Sequence, residues 1–292
     1  MSFAILTDVT ANLELACVRA NEIVVLPFSY FVDGQEHICM NTEDFDCHEY
    51  YDKIRKGTEV NTVQINPQTY MEFMRPLLQA GQDILFVGLS SGVSGSFASA
   101  NIARQELLEE YPQREIELID SYGASLGIGL LAFRGAKCRE NGMSLKETAQ
   151  RLLKLRSRMY QIFTVDDLMH LRRTGRLSNM GALVGHMLGI KPLLKGNDEG
   201  KIVVAGKVRG RKQAIRAMAE KYISLVQNPS QQTVGISHAD CEEDALYLME
   251  LLQKNLPPKE FMLVKHEPVT GSHIGPGALA LYFEGDDNVR LK

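Results

Sequence analysis

The sequence predicts an α/β fold in two domains: a Rossmann-like parallel-sheet domain over residues 1–158, and an α+β domain with a mixed or antiparallel sheet over residues 159–292. Three observations predict it. The length of 292 residues exceeds what one core commonly serves. The first half alternates short apolar runs with segments of helical periodicity and contains a complete strand–helix–strand unit, which implies parallel strands joined by a right-handed crossover. The second half carries a hairpin signal that a purely parallel sheet would not contain.

Phe3 to Leu6 reads as a short strand and Ile23-Val24-Val25-Leu26-Pro27-Phe28 as a second, followed by a hairpin turning at Asp33-Gly34. Asp44 is expected to cap a helix that runs through Arg55. Asn66-Pro67 supplies an N-cap and an N1 proline for a helix from Gln68 to Leu78, with Gly81 ending it. The apolar run Ile84 to Leu89, a helix over Phe97 to Leu108 and the strand Ile116 to Asp120 form the crossover unit. Helical patterns follow at Ser125 to Glu140 and Ser144 to Arg156, and the character changes near Tyr160. The second domain reads as a strand at Gln161 to Val165, a short helix capped by Thr164 or Asp166, and a helix from Asn179 to Leu188. Two strands then flank a turn at Asn197-Asp198-Glu199-Gly200, and a helix spans Arg211 to Val226. Strands at Thr233 to Ser237 and Phe261 to Val264 surround a helix from Glu242 to Lys254.

Composition narrows the function. Thirty-two basic against 36 acidic residues give a net charge of -4, which argues against a chain held by nucleic acid. No apolar run reaches membrane-spanning length and no secretory leader pattern opens the sequence, so a cytoplasmic protein is expected. Cys17, Cys39, Cys47, Cys138 and Cys241 are odd in number and lack C-x-x-C spacing, which speaks against a disulfide framework and a metal site and for reduced thiols. No Gly-x-x-x-x-Gly-Lys-Ser/Thr loop is present, which argues against a self-sufficient kinase.

Two glycine-punctuated segments carry the chemistry: Ser90-Ser91-Gly92-Val93-Ser94-Gly95-Ser96 and Gly271-Ser272-His273-Ile274-Gly275-Pro276-Gly277. The first lies between a strand and a helix, at the carboxyl end of a parallel strand, where ligands of open α/β sheets sit. The first amides of a helix lack internal acceptors and carry the positive end of its dipole, so a carboxylate or phosphate gains hydrogen bonds there without a lysine. The hydroxyls of Ser94 and Ser96 add to it. A serine hydrolase is the alternative: Gly92-Val93-Ser94-Gly95 begins like a nucleophile elbow, with His273 downstream and Asp120 or Asp240 between them. Ser96 occupies the position where that elbow needs its last glycine.

These segments, taken in order with Thr7-Asp8-Val9-Thr10-Ala11, Thr62-Val63-Gln64, Asp120-Ser121, Leu171-Arg172-Arg173-Thr174-Gly175-Arg176-Leu177, Lys191-Pro192 and His273-Ile274-Gly275-Pro276-Gly277-Ala278, resemble the DegV family of fatty-acid-binding proteins. The resemblance covers the whole chain. It implies a long-chain fatty acid, palmitate-like, held at the domain interface as bound ligand without a further cofactor. Its carboxylate would be bound by Thr62 and Ser94 with the Gly95 and Ser96 amides, and His273 would support that network. It also implies that the chain has no activity alone: it would present the carboxylate to a separate ATP-binding subunit of a fatty acid kinase, with Arg172, Arg173 and Arg176 facing that partner, and it would touch a membrane surface in passing. The chain departs from the family pattern at Asp8-Val9, where Asp-Ser or Asp-Thr is usual, and at Thr62-Val63-Gln64-Ile65-Asn66, where Thr-Ser-Gln-Pro-Ser is usual. Thr62 and Ser94 themselves are present.

Overall fold

A computed structural model describes residues 3–177 and 189–292. The chain opens with β1 (Phe3–Asp8), α1 (Leu15–Ala20) and β2 (Ile23–Leu26), then β3 (Phe28–Val32), β4 (Gln35–Cys39), α2 (Cys47–Arg55), β5 (Val60–Val63) and α3 (Pro67–Gln79). Next come β6 (Asp83–Gly88), α4 (Ser96–Glu110), β7 (Ile116–Asp120), α5 (Leu126–Glu140) and α6 (Leu145–Arg158). The remainder holds β8 (Met159–Thr164), α7 (Leu168–Arg173), β9 (Ile190–Gly196), β10 (Ile202–Arg209), α8 (Arg211–Leu225) and β11 (Thr233–His238). It closes with α9 (Glu242–Asn255), β12 (Glu260–Lys265), α10 (Pro268–Ile274) and β13 (Leu279–Glu284). The helix expected from Asn179 to Leu188 lies outside the described residues.

Among these residues there are three sheets where the sequence suggested two. The first is parallel, in the order β2-β1-β6-β7, and includes the expected β6–α4–β7 crossover. The second has the order β10-β9-β8-β13-β11-β12 and is mixed, with β11 and β12 parallel and the other pairs antiparallel. The third, β4-β3-β5, was unforeseen beyond its hairpin. Its origin is Pro27: without an N–H it cannot serve a ladder, so the single strand read over Ile23 to Phe28 splits there. β2 stays in the parallel sheet, and β3 turns away to found the third.

Local chemistry sets most helix boundaries. Asn66 accepts from the Thr69 amide at 2.9 Å ahead of Pro67, and Ser144 and Glu147 form a reciprocal capping box on α6. Asp46, not Asp44, caps α2, accepting the Glu49 amide at 2.9 Å; Asp44 instead accepts from the Asn41 carboxamide. The second glycine-punctuated segment is helical for most of its length. Glu267 accepts the amides of Val269 and Thr270, Pro268 takes the first helical position, and the chain stays helical to Ile274 before Gly275 turns it out at φ +79°. A Cβ at Gly271 would collide with the Tyr51 hydroxyl, so glycine there leaves room for that side chain to reach the His266 carbonyl at 2.9 Å.

One helix lies between the parallel sheet and the mixed sheet, the chain around each forming one of two lobes. α5 is buried almost all round, with Leu126, Ile128, Leu130, Leu131, Ala132 and Ala136 shielded, as expected of a helix lying between two sheets. It packs on β1 and β6 of the parallel sheet and on β8 and β11 of the mixed one. α8 and α9 cover the opposite face of the mixed sheet, where Ile215, Met218, Tyr222, Leu248 and Phe283 form a separate apolar cluster. Near the lobe boundary Arg290 is only 4% exposed and donates to four carbonyls: Asn197 at 2.9 Å, Met159 at 3.0 Å, Arg156 at 3.2 Å, and Tyr122. All five cysteines are free. Among the described residues no helix is long and apolar enough to cross a membrane.

Candidate functional site

The turn between β6 and α4 is held from three sides. The Ser90 amide donates to the Gly123 carbonyl at 3.0 Å, and the Ser91 amide donates to the Asp120 carboxylate at 3.2 Å. From the second lobe the β9–β10 hairpin closes down on the turn, where the Ser90 hydroxyl donates to the Gly200 carbonyl at 2.8 Å. A Cβ on Gly92 would stand 2.7 Å from that same carbonyl oxygen, so glycine is required for the lobes to meet here. The turn is thereby fixed between the lobes, with Ser94 and Gly95 facing a cleft of about 650 Å³.

The opposite wall is built by β5 and α10. Strand alternation turns Thr62 inward with its register partner Tyr30, while Asn61 and Val63 face the other side of the third sheet. Thr62 Oγ1 lies 2.9 Å from Nε2 of His273, which comes from the last turn of α10. That helix is gripped by the Tyr50 hydroxyl on the Pro268 carbonyl at 2.8 Å and by α7, whose His170 bonds the Ser272 carbonyl. Burial, with Arg176 and His170 nearby, pushes the His273 imidazole down to about 3, so it is neutral at physiological pH and carries one N–H. Its Nδ1 is buried without a partner.

The structure brings Thr62, Ser94, Gly95 and His273 to one cleft although up to 211 positions separate them in the chain. It treats the remaining sequence candidates differently. Ser96 is 1% exposed and stands behind the wall: its amide is already given to Ser94 Oγ at 3.2 Å, and its hydroxyl accepts from the Ile65 amide at 3.3 Å. The Ser96 amide, expected to face a ligand, is here engaged within the wall. Arg176 lines the cleft, half-buried, with Nη1 donating to the Thr174 carbonyl at 2.6 Å, rather than pointing at solvent. Arg172 and Arg173 are exposed on α7, and Arg173 approaches Asp167 at 3.7 Å.

Ser94 Oγ accepts the Ser96 amide at 3.2 Å and lies 3.0 Å from Ser96 Oγ, a pair in which either hydroxyl can donate. With Ser96 as the donor, the Ser94 proton is free for the cleft. The hydrolase alternative finds no support here: Ser94 is hydrogen-bonded to Ser96 and His273 to Thr62, not serine to base as an activated nucleophile requires.

Sequence reasoning missed several wall residues. Gln64 packs its carboxamide where a Cβ on Gly95 would be, and Phe28, Leu171, Val269 and Ile274 supply apolar wall. The cleft leads inward to a smaller chamber of about 70 Å³ with which it shares Val93, Ala124, Ile202, Thr270 and Ile274; Phe163, Ala280 and Tyr282 lie deeper. A polar mouth thus opens onto an apolar interior between the lobes.

The chain matches, over residues 2–286, the family described as "Uncharacterised protein, DegV family". A DegV domain-containing protein of Clostridium perfringens is 35% identical over 284 residues, 97% of this chain and 98% of that protein. Among solved structures, a DegV family protein from Thermus thermophilus, described for its fatty acid binding, is 27% identical with a TM-score of 0.89, covering 98% of this chain and 100% of that one. A fatty acid binding DegV family protein from Streptococcus agalactiae is 29% identical with a TM-score of 0.85, covering 98% of this chain and 99% of that one.

Proposed function

Because the chain belongs to the DegV family, we propose that it binds one long-chain fatty acid between its lobes, the carboxylate at the polar mouth and the acyl chain in the apolar interior. One observation carries the reading: the two hydroxyls, the neutral imidazole and the half-buried guanidinium gather at the entrance of a cleft whose far end is apolar. The similarity to solved proteins described as fatty acid binding, each at more than a quarter identity, supports the same ligand class.

The energetics fit. About 14 methylenes at roughly 0.8 kcal/mol each offer on the order of 11 kcal/mol before ordering costs. The head group then needs donors, because a carboxylate buried without partners costs several kcal/mol. Ser94 O–H supplies one. Placing the imidazole proton on Nε2 lets His273 donate to Thr62 Oγ1, which frees the Thr62 proton for the carboxylate and leaves no buried N–H unpaired at Nδ1. The Gly95 amide and Arg176 complete the set, and Ser96 acts only through Ser94. Denaturing extraction of the purified protein followed by mass spectrometry is expected to release a long-chain fatty acid. A protein that yields none, and takes none up on relipidation, sinks the reading.

The finer part of the proposal is presentation to a separate ATP-dependent kinase that forms the acyl phosphate. Arg172 and Arg173 stand exposed on the helix that also contributes Leu171 to the cleft, so a partner docking there would reach the carboxylate. Guanidinium groups suit carboxylates on such a partner. Arg173→Glu is expected to leave fatty acid affinity unchanged while reducing acyl phosphate formation in a reconstituted mixture, with a salt-sensitive defect. Undiminished acyl phosphate formation would return these arginines to a solvated surface.

A further inference from the structure

A second cleft, of about 580 Å³, opens between the lobes where α5 and α6 face the turn that follows α8. It shares no lining residue with the acyl cleft. Helical spacing builds one wall: Arg134 and Lys137 stand three apart on α5, and Arg151, Lys154 and Arg158 recur at i, i+3 and i+7 on α6. Against these five cations the lining holds one carboxylate, Glu284, which pairs with Arg134 at 2.9 Å. Lys137 meets Glu140 at 2.8 Å and Arg158 meets Asp287 at 3.6 Å, both from outside the wall. Arg151 and Lys154 have no carboxylate partner within ion-pair distance among the described residues. In a chain whose net charge is -4, this concentration of positive charge in one concavity is not background.

The facing wall is neutral and preformed. Asn228 and Gln231 sit on a turn that Gln232 pins, donating to the Gln227 carbonyl at 2.5 Å and accepting the Glu284 amide at 2.8 Å. Carboxamides opposite guanidinium and ammonium groups offer neutral hydrogen bonds to an anion's ester or hydroxyl oxygens. No aromatic ring lines the cleft, so nothing there stacks a nucleobase. We propose that this cleft binds a phosphate-bearing anion of at least two charges, as a free polyphosphate or phosphate ester or as the head group of an anionic phospholipid. Forked guanidinium donors match phosphate oxygens, and the volume of this open cleft is that of a small-molecule site. Such a ligand would touch both lobes at once.

Two probes distinguish the sources: calorimetric titration of the full chain with sodium tripolyphosphate, and cosedimentation with phosphatidylglycerol vesicles against phosphatidylcholine vesicles. Each is run at low and high salt and repeated on the double variant Arg151→Gln, Lys154→Gln, whose exposed positions should leave the melting temperature unchanged. Salt-sensitive binding of tripolyphosphate, weakened roughly ten-fold or more in the variant, supports the site with a free phosphate ligand. Selective binding of phosphatidylglycerol vesicles, lost in the variant, supports it with a head group. Absence of binding to either probe, or equal binding by the variant, overturns the proposal. Fatty acid affinity is expected to be the same in both proteins, so this result stands apart from that of the acyl cleft.

Discussion

Replacing Arg290 with methionine is expected to lower the stability of the folded chain by about 3–5 kcal/mol, because it removes four hydrogen bonds donated by a buried charged group, each worth roughly 1.5–3 kcal/mol and offset in part by no longer burying a charge. The guanidinium is 4% exposed and its hydrogen bonds go to the backbone: the Asn197 carbonyl of the β9–β10 hairpin, the Arg156 and Met159 carbonyls at the α6–β8 junction, and the Tyr122 carbonyl after β7. Burial pushes the group down to about 10, so it remains charged at neutral pH and depends on those carbonyls for solvation. Methionine matches the length of the stem but donates to none of them; the Asn197, Arg156 and Tyr122 carbonyls keep a second donor in the Gly200 amide, the Met159 amide and the Gln161 carboxamide, so what is lost is the charge-assisted hydrogen bonds, roughly 1.5–3 kcal/mol each before the relief of burying a charge is set against them. Lysine keeps the charge but cannot reach four carbonyls with one ammonium, so it should recover part of the loss. Denaturant titration followed by circular dichroism measures the effect. A midpoint equal to that of the unaltered chain would show that the arginine is replaceable packing.

Thr62→Val and Ser94→Ala are each expected to weaken fatty acid binding by about 1.5–3 kcal/mol, roughly 10- to 100-fold in dissociation constant, because each removes a hydrogen bond to a charged group. Valine preserves the shape of Thr62 and its β propensity, which keeps β5 in register with β3. It also strips His273 of its partner at 2.9 Å. The control is a fatty alcohol of the same length, whose affinity should change far less because no carboxylate is at stake. If titration gives the same constant for the acid in both variants, the carboxylate is not held at this mouth.

Much of the first lobe is legible in the sequence because its signals are local. The Asn66-Pro67 cap, the Ser144 box and the strand–turn–helix around Ser94 are each written within a few residues of where they act. The third sheet is not legible, because β5 is four residues long and pairs with β3 across some thirty positions. α10 is hard to read because the glycines at 271 and 275 suggest a loop, although Glu267-Pro268, an acceptor side chain ahead of an N1 proline, is a helix-start signal. β13 could have been taken from the apolar run Leu279 to Phe283. At the site, Thr62, Ser94 and His273 were identifiable from family-like motifs, but the burial of Ser96 and the turn of Arg176 into the cleft depend on partners distant in sequence. Nothing local marks Arg290 as buried, since its acceptors are backbone carbonyls that any residue could provide.

The place of β13 has a consequence for the order in which the protein assembles. The parallel sheet uses strands that all precede residue 121, so the first lobe has every one of its strands before the mixed sheet is begun. The mixed sheet is built otherwise: β13, between β8 and β11, is synthesised after both of its neighbours. Until it arrives, β8–β9–β10 and β11–β12 are two fragments with facing open edges, the kind of edge on which unfinished chains associate. A nascent chain therefore passes through a stage in which one lobe can be closed while the other still waits for the strand that unites it.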